Sequence, residues 1–181
     1  MTKVLVGCLI ALLPTAASSV TRGAEDTLKV GDQAPAFELA GSDGKTHKLS
    51  EFKGKKAVVL AWFPKAFTRG CTRECKSLRE SGQAIRQFDV AYFTASCDTA
   101  AENKKFAQSL DLDYPILSDP EKKVARAYGV IHEGRENPER WTFYISPEGK
   151  ILHIDKQVNV ASHGQDCVAK LKELNIAKEN G

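Results

Sequence analysis

The spacing of apolar positions changes several times along this chain, and each change marks an element. "APAFELAGSDGKTHKLSEF" interleaves apolar and polar residues around a Ser-Asp-Gly turn, which predicts two short strands joined as a hairpin. "KKAVVLAWF" is instead an unbroken apolar run bounded by charge and by Pro64, the pattern of a central strand buried on both faces. From Gly70 to Phe88 the spacing turns helical, with Leu78, Ile85 and Phe88 on or near one face. "DVAYFTASC" predicts a second buried strand, and Asp98-Thr99 a cap for a helix running through Leu110. "YPILSD" reads as a third strand or extended piece, and Glu121 to Tyr128 as a short helix closed by Gly129. "RWTFYISPEGKILHID" is a hairpin turning at Pro147-Glu148-Gly149, and Ser162 to Leu174 form a terminal helix. Strand and helix alternate through the middle, and a hairpin and a helix finish the chain. The expected class is α/β, a central mixed sheet flanked by helices with an N-terminal β-hairpin.

A chain of 181 residues suits one well-buried domain and is short for two. There is no repeat, linker or low-complexity tract to divide it. The formal charge of +3 is spread out, with no basic run longer than two residues, so a nucleic-acid footprint is not expected. The N-terminus differs in kind. After Lys3 comes an apolar stretch from Val4 to Leu13 and then "PTAASS", the order of a signal peptide. Such a stretch is too short to span a bilayer, so no stable membrane anchor is expected. The expected organisation is a signal peptide over 1–17, a polar lead-in over 18–27 and one domain over 28–178. An exported protein, periplasmic or secreted, follows from that leader, with Cys8 lost in it.

Four cysteines remain beyond the leader: Cys71, Cys75, Cys97 and Cys167. Two structural disulfides are one reading in an oxidising compartment, but a domain of this size does not need stapling. No C-x2-C pair offers a zinc site. Cys71 stands where the strand ending at Phe63 hands over, through a loop, to the helix that starts near Gly70. Unpaired N–H groups and the positive end of the helix dipole point at a side chain placed there, and both favour the thiolate, the reactive form. Arg69, Arg73 and Arg140 are candidates to add to that effect.

Pro64, Thr68 and Cys71 reproduce the P-x3-T-x2-C signature of peroxiredoxins. The surrounding "WFPKAFTRGCTRECKSLRE" resembles the PrxQ group, also called bacterioferritin comigratory proteins, within the AhpC/TSA superfamily. The likeness continues through "SCDTAAENKKFA", "YPILSDPEKKVARAYGV" and "RWTFYISPEGKI" and covers roughly residues 27 to 175. It implies a thioredoxin-like fold and a peroxidase that reduces hydrogen peroxide and organic hydroperoxides without a cofactor or metal. Cys71 would attack the O–O bond and become a sulfenic acid. A second thiol would condense with it, and a thioredoxin-type reductant would reopen the disulfide. By matching position, Thr68 would hydrogen-bond the nucleophile and the peroxide, Pro64 would shield the pocket, and Arg140 would hold the thiolate and polarise the peroxide. Relatives in the group are often monomers, which implies a monomer here.

The pattern departs in one place. Many PrxQ proteins carry the resolving cysteine five residues after the peroxidatic one, whereas here Cys75 follows Cys71 by four, on the same helical face. Cβ atoms at that spacing are about 5–6 Å apart, against about 3.5–4.5 Å in a disulfide, so the first turn must unwind for Cys75 to resolve. Cys97, ending its strand, is expected beside the active-site helix as a competitor, and an external thiol is a further alternative. Cys167 reads as core or incidental. Two other functions share the fold. A Sco-like copper chaperone would use a C-x3-C pair with a distant histidine, and soft thiolates suit Cu(I). No histidine precedes the "TFYIS" strand, however, and His132 and His163 are expected at the surface. A thioredoxin-like disulfide oxidoreductase would want its cysteines two residues apart.

Overall fold

In the computed structural model, which describes residues 28–178, the chain forms β1 (Glu38–Gly41), β2 (Thr46–Lys48), β3 (Ala57–Trp62), α1 (Arg69–Glu80) and the one-turn α2 (Gly82–Ile85). It continues with β4 (Val90–Ser96), α3 (Ala100–Ser109), β5 (Ile116–Ser118), α4 (Lys123–Ala127), β6 (Thr142–Ile145), β7 (Ile151–Asp155) and α5 (His163–Glu173). The expected leader and lead-in lie outside the described residues. Among the described residues, no helix is long and apolar enough to cross a membrane.

Seven strands join in one mixed sheet of order β2-β1-β5-β4-β3-β6-β7. The pairs β3·β4 and β4·β5 are parallel, and β3·β6, β6·β7, β1·β5 and β1·β2 are antiparallel. β3 lies inside the sheet and every one of its residues is buried, which is why its sequence shows no alternation. Its side chains still divide by parity. Val58, Leu60 and Trp62 pack with Phe93, Ala95, Phe143, Ala125 and Tyr128 on the face that carries α4. Ala57, Val59 and Ala61 pack with Leu78, Ile85, Cys167 and Leu171 on the face that carries α1, α2 and α5.

Phe63 extends the second parity past the strand into a cluster with Ala66, Cys71, Cys75, Phe106, Leu110 and Ile116. That cluster is the floor under the start of α1. Burial of a side chain as large as Phe63 or Phe106 is worth about 1.5–3 kcal/mol, so this corner is held firmly.

The helix expected from Gly70 to Phe88 is two pieces. At Ser81 the backbone leaves helical geometry (φ −96°, ψ 0°), and Gly82 then lies close against the hydroxyl of Tyr92 and the carboxylate of Asp113. A 3-10 turn over Leu49–Phe52, which the sequence pattern does not announce, buries Leu49 between the hairpin and β3. Thr99 alone caps α3, accepting from the N–H of Glu102 at 3.2 Å; the carboxylate of Asp98 is used elsewhere.

Candidate active site

The strand-to-helix loop, residues 64–68, is anchored from β4. Asp98, just past the end of that strand, accepts the N–H of Ala66 at 2.8 Å, and its own N–H donates to Ser96 Oγ at 3.2 Å. The residue after Ala66, Phe67, takes a left-handed backbone (φ 61°), unusual for a bulky side chain, and its half-exposed ring packs on Phe106 at 4.9 Å between centroids. The chain then enters α1 with Thr68 as N-cap. Its hydroxyl does not cap the helix but donates to the carbonyl of Lys65 at 3.0 Å. The N-cap side chain therefore leaves the first N–H groups of α1 uncapped, and Cys71 lies in that first turn.

Helical spacing turns Cys71, Glu74, Cys75 and Leu78 inward together. Cys71 is 1% exposed and Glu74 is fully buried. Arg140 arrives from the segment leading into β6, which pairs with β3 and continues that pairing through Trp62 N–H to Trp141 carbonyl at 2.8 Å. Its guanidinium divides between two partners. Nη2 stands 3.4 Å from the Sγ of Cys71, and Nη1 forms a close ion pair with Oε2 of Glu74. The other carboxylate oxygen of Glu74 lies 3.1 Å from Nδ1 of His163 at the start of α5. Nε2 of His163 lies 2.9 Å from the hydroxyl of Thr142. A buried carboxylate needs such partners, because an unpaired charge in the interior costs several kcal/mol.

Of the residues expected at the site, the structure brings Cys71 and Arg140 into contact and places half-buried Pro64 in the loop between β3 and α1. Thr68 borders the same turn, exposed, with its hydrogen committed to Lys65. Cys75 shares the inner face of an intact helix with Cys71, and both are free thiols. Burial pushes the Cys75 thiol up to about 12, and the Tyr114 hydroxyl donates to the Cys75 carbonyl at 3.0 Å.

Cys97 is not beside the active-site helix. Strand parity carries it onto the opposite face, packed against the cluster that holds Ala95 and Tyr128, where burial and the charge of Asp119 push its thiol up to about 12. Cys167 is core, its sulfur accepting from the Tyr144 hydroxyl at 3.3 Å. His132 is half-exposed, but His163 is 1% exposed, so the expectation of a surface histidine fails there. The missed residues are Glu74, His163 and Asp98. Glu74 and His163 each leave a trace in the pattern: Glu74 occupies the apolar stripe of Cys71, Cys75 and Leu78, and His163 stands one and two turns before Cys167 and Leu171. A polar side chain in an apolar stripe is a buried one.

The AhpC/TSA family model matches residues 30–154. Peroxiredoxin Bcp from Bacillus subtilis is 34% identical over 155 residues, which are 82% of this chain and 98% of that one. Among solved structures, peroxidoxin BcpB from Mycobacterium tuberculosis superposes with a TM-score of 0.73 at 31% identity, covering 81% of this chain and 97% of the other. The bacterioferritin comigratory protein of Xanthomonas campestris, studied for alkyl peroxide reduction, does so with a TM-score of 0.70 at 26% identity over 76% of this chain and 90% of that one.

Proposed function

The chain belongs to the AhpC/TSA family, among the Bcp/PrxQ peroxiredoxins, and is a thiol peroxidase of thioredoxin-like fold that acts on peroxides with a thiol reductant such as thioredoxin; from that premise we propose that Cys71 is its peroxidatic sulfur and Arg140 its electrostatic partner. The observation that carries this is the 3.4 Å approach of Arg140 Nη2 to Cys71 Sγ.

In the first step the thiolate of Cys71 attacks one peroxide oxygen. The S–O bond forms as the O–O bond breaks, sulfur is oxidised to sulfenic acid, and the departing oxygen leaves as water or an alcohol after taking a proton. Arg140 faces the negative charge before and after it moves onto the leaving oxygen, and a fixed cation of this kind is the strongest aid a protein offers such a step. Thr68 has given its hydrogen to Lys65, so its oxygen is an acceptor that orients an incoming peroxide O–H. Half-buried Pro64 shields the pocket from water.

In the second step the Cys75 thiol displaces hydroxide from the sulfenic acid, releasing water and forming a Cys71–Cys75 disulfide. The reductant's two thiols then reopen it and carry away the oxidising equivalents. Because both cysteines sit one turn apart in a formed helix, the first turn of α1 unwinds for this step. The relatives favour this cycle over copper delivery or general disulfide exchange.

The protein works as an exported monomer in this reading. The leader pattern over 1–17 supports export. Only Val30 and Phe67 stand out as exposed large apolar side chains among the described residues, which supports a monomer. Sequencing the mature N-terminus and measuring the mass in solution test those two points. The cycle itself is tested by hydrogen peroxide consumption with thioredoxin and its reductase: turnover in the wild type and none in Cys71→Ser supports it, and undiminished turnover in Cys71→Ser overturns it.

A further inference from the structure

Glu74 is the charged member of the inward face of α1, and it is answered from the far end of the chain. Its Oε2 is taken by Arg140. Its Oε1 lies 3.1 Å from Nδ1 of His163, an ion-pair distance without hydrogen-bond alignment, and neither of these two buried atoms has a hydrogen-bond partner among the described residues. The carboxylate is planar, so any rotation that lost His163 would also swing Oε2 and turn the guanidinium away from sulfur. His163 is itself fixed. Nε2 lies 2.9 Å from Thr142 Oγ1, two residues beyond Arg140 on β6. The next residue, Gly164, donates its N–H to Ser77 Oγ at 3.0 Å and lies so close to α1 that a Cβ would collide with the Ser77 carbonyl oxygen. Arg140, Glu74, His163 and Thr142 therefore close a ring through the backbone of β6, with Cys71 at its open side.

From this ring we infer that His163 is a positioning residue for peroxide reduction: it holds Glu74 in the orientation that keeps Arg140 aimed at Cys71. The inference rests on Cys71 being the peroxide-reducing sulfur. The Glu74 carboxylate beside Nδ1 favours the tautomer with the proton there, which leaves Nε2 to accept from the Thr142 hydroxyl. Peroxide never meets His163, which works entirely through the guanidinium.

The test is the second-order rate at which hydrogen peroxide oxidises Cys71 in a single turnover, followed by rapid quench and mass spectrometry. His163→Leu is expected to slow that step about tenfold, the equivalent of one misplaced hydrogen bond to a charged group. His163→Asn, whose amide nitrogen falls near the position of Nδ1, is expected to stay within about threefold of wild type. In an Arg140→Met background His163→Leu should cost nothing more, because its effect passes through Arg140; a residue that only supports the fold would still add its loss. A His163→Leu protein as fast as wild type overturns the inference. So does His163→Asn as slow as His163→Leu, or a His163→Leu penalty undiminished without Arg140. Should His163→Leu fail to fold, His163→Gln replaces it: its amide reaches Thr142 and not Glu74, so it should be slow, and equality with His163→Asn is the contrary result. A wild-type Cys71 inert to peroxide would overturn the peroxidatic assignment and this inference together. A fast wild type with unimpaired His163→Leu overturns the inference alone.

Discussion

Nη2 of Arg140 lies 3.4 Å from Sγ of Cys71, although the two residues are 69 positions apart in the chain. The contact exists because antiparallel pairing of β6 with β3 sets Arg140, two residues before β6, beside the helix that follows β3. Arg140 serves two masters there, the sulfur and the buried Glu74, and this duality gives its replacement two separable effects. Arg140→Met is expected to lower kcat/KM for hydrogen peroxide by about two orders of magnitude, as removal of a preorganised donor does elsewhere. Arg140→Lys should recover little of it, because a single ammonium cannot span both partners. A peroxidase assay on the two variants decides this.

The same substitution strands the Glu74 carboxylate, which is fully buried, whereas Arg140 keeps partial access to water. Arg140→Met is therefore expected to destabilise the fold by about 3 kcal/mol and Glu74→Gln by less, since removing one partner of a buried pair costs most when the survivor is sealed in. Urea unfolding of the two variants gives the order, and the reverse order would contradict it.

Tyr114 holds the segment that resolution must unwind, its hydroxyl donating to the Cys75 carbonyl at 3.0 Å. Tyr114→Phe is expected to speed disulfide formation after brief peroxide treatment by about fivefold, the share of one hydrogen bond. Peptide mapping should find Cys71 joined to Cys75 in both proteins. Cys71 joined to Cys97 would contradict it, because strand parity puts Cys97 across the sheet.

Most of the fold is legible in the chain because its strands are buried on both faces and its helices carry clear stripes. The run that becomes β3 and the terminal helix over His163–Glu173 fall where the pattern puts them. The break at Ser81 is not legible, since the helical spacing runs on through it and the groups packed against Gly82, Tyr92 and Asp113, lie outside that stretch. The P-x3-T-x2-C spacing shows where Cys71 stands, and similarity picks out Arg140. What is easily passed over is the second partner of that arginine: Glu74 shares the stripe of Cys71, Cys75 and Leu78, but beside Arg73, Lys76 and Arg79 it reads as one more surface charge. His163 is hidden for the same reason. Its neighbours in sequence are small and polar, and its partners come from α1 and β6.

Two thiols give the stability a pH dependence. Burial, as the largest cause, holds Cys75 and Cys97 up to about 12, against 9.0 for an ordinary thiol. Below about pH 9 both states carry the proton and this contribution is fully present. Between pH 9 and about 12 the unfolded chain releases a proton that the folded chain retains, so stability falls as pH rises. Urea midpoints at pH 7.5 and 10.5 should decline less for Cys75→Ala than for wild type. Equal declines would contradict the burial of that thiol.

Gly164 sits where α5 touches α1, and a Cβ there would meet the Ser77 carbonyl oxygen and the Ser81 side chain. Gly164→Ala is expected to cost about 1–3 kcal/mol by overpacking, despite alanine's better helix propensity. Thermal unfolding measures it, and a neutral or stabilising result would mean that the two helices are not pressed together as described.

The most direct measurement is a site-resolved trap of the first oxidation product. One equivalent of hydrogen peroxide is added to the Cys75→Ser protein in the presence of dimedone, and the adduct is located by peptide mass spectrometry. The adduct is expected on Cys71, and it should vanish in the Cys71→Ser, Cys75→Ser double variant. An adduct carried instead by Cys97 or Cys167, or peroxide loss that survives without Cys71, would contradict the assignment of the sulfur beneath Arg140.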